Sequence, residues 1–230
     1  MGKVWSASTN PISFFAFHPV NAWEQPSENE PGKFDIIADM SAYENLDIIE
    51  RFYYHNMKGT SPTARDYAGE KGETSRARLT RYKLPSVGSS KISSPSKGRE
   101  VEVLFASAKE NTPELPTFNP KYATKPRRYI FGVSDRDNST FLDGILKNDT
   151  QTQTSIARVI HAQSPSEPIF LPDPEGIEED NGVLLSVVLD GTKGKSYLLV
   201  LDVRTFDEVG RADLEIVVPF GFHGTHVSNL

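Results

Sequence analysis

An all-β fold of short antiparallel strands is what this 230-residue sequence predicts, and three observations predict it. First, 16 glycines and 16 prolines are more turn formers than a helical bundle tolerates, and they suit many short strands. Second, several segments alternate apolar and polar residues or run continuously apolar over five to eight positions. Third, Val183–Leu189 and Ser196–Asp202 are two apolar runs joined by the Gly-rich turn 190–195, which reads as a hairpin. Sheets formed by successive antiparallel strands suggest a β-propeller over a closed sandwich. No clean repeat in the letters supports this independently.

Along the chain, Ser13–His18 is an aromatic run that predicts a buried strand ending on a histidine. Phe34–Met40 predicts a second strand. Ser41-Ala42-Tyr43-Glu44 has the form of a capping box, and with Leu46, Ile49 and Tyr53 it predicts one short helix from about Ala42 to His55. Residues 58–75 are polar and turn-rich. Arg76–Leu84 and Glu100–Phe105 predict strands, separated by a low-complexity loop at Ser86–Gly98. The stretch 58–98 as a whole is expected to be a polar, loop-rich insertion in a single domain of residues 1–230. Asn111–Arg128, with four prolines, predicts an extended ordered loop, and Arg128–Val133 another strand. Asp135–Gln153 is polar and predicts a surface excursion. Ile156–His161 and Pro168–Leu171 predict short strands, and Leu214–Val218 a last one.

Composition excludes several functions. The formal net charge of −6 argues against a nucleic-acid partner. Arg76, Arg78, Arg81 and Lys83 form a local basic cluster, which reads either as a solvated strand face or as a patch facing anionic lipid. There is no cysteine, hence no disulfide framework and no thiolate metal site. No segment reaches the roughly 18 apolar residues of a membrane span. Asn10 and Pro11 interrupt any secretory signal, so the default location is cytoplasmic. Met1–Ser6 loosely fits a myristoylation pattern, and Asn138-Ser139-Thr140 and Asn148-Asp149-Thr150 match glycosylation sequons. No GxSxG, GxGxxG, phosphate-loop or HExxH motif occurs.

The five histidines are His18, His55, His161, His223 and His226. Two stand out because each ends an aromatic segment: Phe14, Phe15 and Phe17 precede His18, and Phe220 and Phe222 precede His223. A buried neutral imidazole needs a hydrogen-bond partner or a metal, and the sequence leaves both open. In a strand His223 and His226 point to opposite faces, which argues against one site using both.

Three stretches together resemble the carotenoid cleavage oxygenase family: Phe14–Glu24 (FFAFHPVNAWE); Ser166–Phe170 (SEPIF) with Glu178–Val188 (EEDNGVLLSVV); and Val218–Gly224 (VPFGFHG). They occur in the family's order, and the resemblance runs from about Pro11 to Gly224. The Asn-Ala-Trp-Glu wording is most similar to the fungal branch, which acts on torulene or apocarotenoids.

The resemblance implies a seven-bladed β-propeller, of which this chain would form the C-terminal blades with one short helix and long loops. It also implies an Fe(II) centre held by four histidines, backed by glutamates, that uses O2 to cleave a conjugated C=C bond. Carried over, His18 and His223 match two of the iron ligands. Glu167 matches a glutamate behind them, and Glu114, in Pro-Glu-Leu-Pro, fits a second. His55, His161 and His226 match no ligand position. Phe17 and Phe222 are expected either to line an apolar substrate tunnel or to pack in the core. The family's first two iron histidines precede the segment this chain resembles, so a complementing chain, a non-catalytic partner-binding fragment and a stilbene-cleaving relative all stay open. An apolar polyene substrate also implies peripheral membrane contact.

Overall fold

The structure is a computed structural model that describes residues 13–59, 62–68, 70–87, 101–136, 138–139 and 141–227. Among the described residues, thirteen strands form three antiparallel sheets whose strands follow one another almost in chain order. The first sheet contains β1 (Phe15–Pro26), β2 (Phe34–Tyr43), β3 (Arg78–Val87) and β4 (Glu102–Ala106). The second contains β5 (Glu114–Thr117), β6 (Tyr129–Ser134), β7 (Gly144–Asp149) and β8 (Thr154–Val159). The third contains β10 (Ile169–Pro172), β11 (Gly182–Asp190), β12 (Lys195–Asp202) and β13 (Glu208–Asp213), with β9 (Gln163–Pro165) paired to β11. Among the described residues these sheets do not close into a barrel or ring.

The sheets meet through apolar faces. Val20, Leu79 and Ile130 join the first sheet to the second. The main core joins the second to the third, where Phe131 and Ile145 pack on Phe170, Leu184, Val188, Tyr197, Leu199 and Leu201. The Val183–Asp202 hairpin supplies most of these side chains. Its near-continuous hydrophobicity is explained by this burial.

Polar groups add a second seam. On β2, Asp39, Ser41 and Tyr43 alternate onto one face, all of them buried. Each bonds to the second sheet or the chain leading into it: Arg127 Nη2 donates to Asp39 Oδ2 at 2.9 Å, Ser41 Oγ to the Pro113 carbonyl at 2.7 Å, and Tyr43 Oη to Glu114 Oε1 at 2.5 Å. Arg81 from β3 grips the same Asp39 through two bonds, at 2.7 and 2.9 Å.

That seam overturns the helix expected from Ala42. Ser41 and Tyr43 are committed to the neighbouring sheet, so β2 continues to Tyr43 and the capping-box serine caps nothing. The helical stretch begins only at α1 (Asp47–Arg51), breaks, and resumes as α2 (Tyr54–Met57) and α3 (Glu70–Thr74). The expected strand at 214–218 is displaced too: β13 ends at Asp213, although Leu214 and Ile216 still bond to Ser196. β7 lies inside the expected surface excursion. Its polar side chains are buried against distant partners: Lys147 Nζ donates to Asp180 Oδ2 and to the Val203 carbonyl, and Asn148 Nδ2 donates to the Asn111 carbonyl, while Asn148 Oδ1 has no hydrogen-bond partner. Asn148, the first residue of one sequon, is thereby only 2 % exposed. β5 lies within the proline-rich loop, and β3 runs through the 58–98 stretch. Met1–Ser6, Thr140 of the other sequon and most of the Ser86–Gly98 loop lie outside the described residues.

At the end of β7, burial favours the neutral form of Asp149. The Arg128 guanidinium and the Gln151 and Thr152 amides outweigh it and hold the carboxyl at about 2. The folded pKa is depressed, so the stabilisation is complete above the unfolded value near 4 and lost as pH falls towards 2. Asp149→Asn is expected to destabilise the chain at about pH 6 and to have little effect near pH 2. Urea titrations at the two pH values check this, and an equal loss at both would count against it.

Candidate metal centre

His18 and His223 come together although 205 positions separate them in sequence; their ring centroids are 5.6 Å apart with planes at 73°. Each imidazole is tied back through Nδ1 to a glutamate. His18 Nδ1 lies 2.7 Å from Glu114 Oε2, and His223 Nδ1 lies 3.2 Å from Glu167 Oε1. The second oxygen of each glutamate accepts from another donor: Tyr43 Oη for Glu114 at 2.5 Å, and the Gly224 amide for Glu167 at 2.7 Å.

Local irregularities aim these side chains. The register of β1 against β2 passes from Ala16↔Ala42 to His18↔Ser41, a bulge at Phe17 that redirects the next residue. β5 carries an extra residue against β6 between Glu114 and Thr117, and Leu115 there adopts φ +46° while fully buried. A left-handed leucine is costly, and packing against Val133 and Leu142 holds it. Glu167 follows β9 in the Ser-Glu-Pro turn. Ser186 Oγ donates to the Ser166 carbonyl, and the Gly221 amide donates to Ser166 Oγ, so the turn and the His223 segment are held together.

An aromatic arc connects the two histidines. Phe17 lies 6.0 Å from Phe52, Phe52 5.4 Å from Phe141, and Phe141 6.2 Å from Phe222, centroid to centroid. Phe17 is 40 % exposed and Phe222 51 % exposed, so neither is a fully packed core residue. The sequence does not single out Phe52, which falls inside the expected helix beside the Leu46, Ile49 and Tyr53 positions, or Phe141, which sits in the polar 135–153 stretch. The capping-box pattern places Tyr43 at a helix start. The alternation of Asp39, Ser41 and Tyr43, continuing that of Phe34–Met40, is the signal that places it on a strand.

Both imidazoles have Nδ1 engaged, which leaves Nε2 as the atom able to take a metal. Two neutral imidazoles, each with a carboxylate behind it, are donors suited to divalent iron, but they are only part of a ligand set. Among the described residues no group of three or more His, Cys, Asp or Glu is placed to hold a metal ion. His55, His161 and His226 are exposed and stand outside the pair. The basic cluster is also elsewhere, and its charges are matched: Arg81 by Asp39, Lys83 by Asp35 and Glu102, Arg76 by Glu73 and Asp135, Arg78 by Glu44. This pairing favours the strand-face reading over a lipid-facing patch. Among the described residues no helix is long and apolar enough to cross a membrane.

Comparison with known proteins places this geometry in context. A carotenoid dioxygenase of Neurospora crassa is 34% identical over 220 residues, 93% of this chain and 36% of its own length. A torulene dioxygenase of Fusarium fujikuroi is 34% identical over 233 residues, 98% of this chain and 40% of its own length. The chain therefore spans about two fifths of these curated relatives. A Synechocystis apocarotenoid oxygenase variant superposes with a TM-score of 0.68 at 22% identity, over 92% of this chain and 39% of that one. A cobalt-substituted form of the same oxygenase superposes with a TM-score of 0.66. The family described as retinal pigment epithelial membrane protein matches residues 3–228, and the chain belongs to this carotenoid oxygenase family.

Proposed function

We propose that this chain supplies part of a non-heme Fe(II) centre that cleaves a conjugated C=C bond of a carotenoid or apocarotenoid with O2. The observation that carries the reading is the facing pair His18 and His223, each with Nδ1 held by a glutamate. In this reading the three sheets are blades of a seven-bladed propeller whose remaining blades and iron ligands lie outside the described residues. Iron, when bound, would supply the activation of O2. His18 and His223 would hold it through Nε2. Glu114 and Glu167 fix the tautomer and orientation of the rings. Phe17 and Phe222 present apolar surface that an extended polyene can lie against and that excludes water from its double bonds.

A second reading, a non-catalytic propeller piece, is favoured by the site itself: the His223 side chain is 69% exposed, and among the described residues no group of three or more potential ligands forms around it. One experiment separates the readings. Iron content of the purified, reconstituted chain is measured beside His223→Ala. Near-stoichiometric iron, lost in the variant, supports the metal centre and leads to cleavage assays on carotenoids, apocarotenals and stilbenes. Iron no higher than in the variant sinks catalysis by this chain alone. Adding a chain that carries the missing ligands then tests complementation. The solubility of a polyene also leads us to expect peripheral membrane association, which liposome co-sedimentation measures.

A further inference from the structure

The segment that carries His223 has no strand of its own. From Glu215 to Val227 every residue is exposed except Val218 and Phe220. Among the described residues, the hydrogen bonds of this segment run to the third sheet and to the turn after β9. Ser196 on β12 exchanges backbone bonds with Leu214 and Ile216. Its hydroxyl accepts from the Val218 amide at 3.0 Å and donates to the Val218 carbonyl at 3.3 Å. The Gly221 amide donates to Ser166 Oγ, and the Gly224 amide and His223 Nδ1 meet Glu167.

His18 belongs to the other side of the site. It lies on the first sheet and is tied to Glu114 on the second. The polar bonds of the His223 segment therefore fix it to the third sheet and leave its distance from His18 unset. Phe220 reaches across. It packs against the cluster of Leu115, Val133 and Leu142, and the Phe141 ring meets it edge-on at 4.4 Å and 83°. Such edge-to-face contact is a favoured aromatic geometry. Leu115 and Val133 are on β5 and β6, and Leu115 directly follows Glu114. One apolar contact thus joins the chain three residues before His223 to the chain beside the glutamate that holds His18.

We propose that Phe220 is a positioning residue of the candidate centre: its ring, seated between the His223 segment and the second sheet, sets His223 against His18. This rests on the reading of the two histidines as ligands, but its first test needs no metal.

In the metal-free chain, a nuclear Overhauser cross-peak between the imidazole protons of His18 and His223, assigned with His18→Gln and His223→Gln, reports the 5.6 Å approach of the rings. The cross-peak is expected to weaken from wild type to Phe220→Leu and to vanish in Phe220→Ala, while the amide signals of β11 and β12 stay in place. Val218→Ala, which trims the same segment without touching the aromatic contact, is expected to keep it. An unchanged cross-peak in the Phe220 variants would overturn the proposal. So would an equal loss in Val218→Ala, which marks a general loosening. If Phe220→Ala does not fold, Phe220→Leu decides alone by the same signal. A wild type without the cross-peak would remove the facing pair itself, and the proposal with it.

Titration with Co(II) gives the second readout. Phe220→Ala is expected to weaken binding about tenfold, the low end for a group supporting a metal ligand. Added to His223→Ala it should weaken binding no further, since Phe220 acts through His223. Additive losses would count against it. If wild type binds no cobalt while Phe220→Ala still separates the rings, the metal reading has failed and the positioning role stands.

Discussion

Asp39→Ala is expected to lower the unfolding free energy by about 3–5 kcal/mol, the range for removing one partner of a buried charge pair. Asp39 is fully buried and accepts from Arg81 and Arg127. The Arg127 side chain is itself inaccessible, and burial holds its guanidinium at about 10 despite the attraction of Asp39. Removal of the carboxylate leaves that cation against the Phe118 ring, 5.0 Å away, with no partner of comparable strength. Urea unfolding measures the loss. Removing both charges, with Arg127→Met added, should recover much of it, because a buried pair replaced by apolar groups is often close to neutral. A loss of under about 1 kcal/mol in the single variant would show the pair to be well solvated and the argument wrong.

Gly132→Ala is expected to damage the fold and the candidate centre together. Gly132 lies in the middle of β6. A Cβ there would sit 2.5 Å from the Glu114 carbonyl oxygen and 2.7 Å from Pro113 Cβ. Neither atom can swing away like the end of a long side chain. The Pro113 carbonyl is pinned by Ser41, and Leu115 is already held at a left-handed φ. The added methyl must push β5 off β6, at a cost of about 1–3 kcal/mol for overpacking. The same displacement moves Glu114 from Tyr43 and His18. Thermal unfolding and Co(II) affinity should therefore fall together. A variant with lowered stability and unchanged cobalt affinity would mean that Glu114 is positioned independently of this close approach.

The elements legible in the sequence were those whose burial is achieved with apolar side chains. β11 and β12 announced themselves because nearly every residue contributes to one packed face or the other. β7 did not, since Lys147 and Asn148 are buried through partners 33 to 56 positions away that no local pattern reveals. The capping box was misleading for the same reason. Ser41 and Tyr43 have the local chemistry of a helix start, but bonds to Pro113 and Glu114 outweigh it. At the site, His18, His223, Glu114 and Glu167 were identified through family resemblance. Their pairing spans 96 and 56 positions, beyond anything spacing alone could suggest.

Those spans have a kinetic consequence. Each sheet is a run of neighbouring strands, so most pairing closes short loops and can proceed as soon as one segment is available. The histidine–glutamate ties need sheets that have already formed to dock. In synthesis His18 precedes Glu114 by 96 positions and must wait for it, and Glu167 waits 56 positions for His223. A chain that has completed these strands still lacks a centre until these distant segments meet, so maturation of the site trails folding of the scaffold.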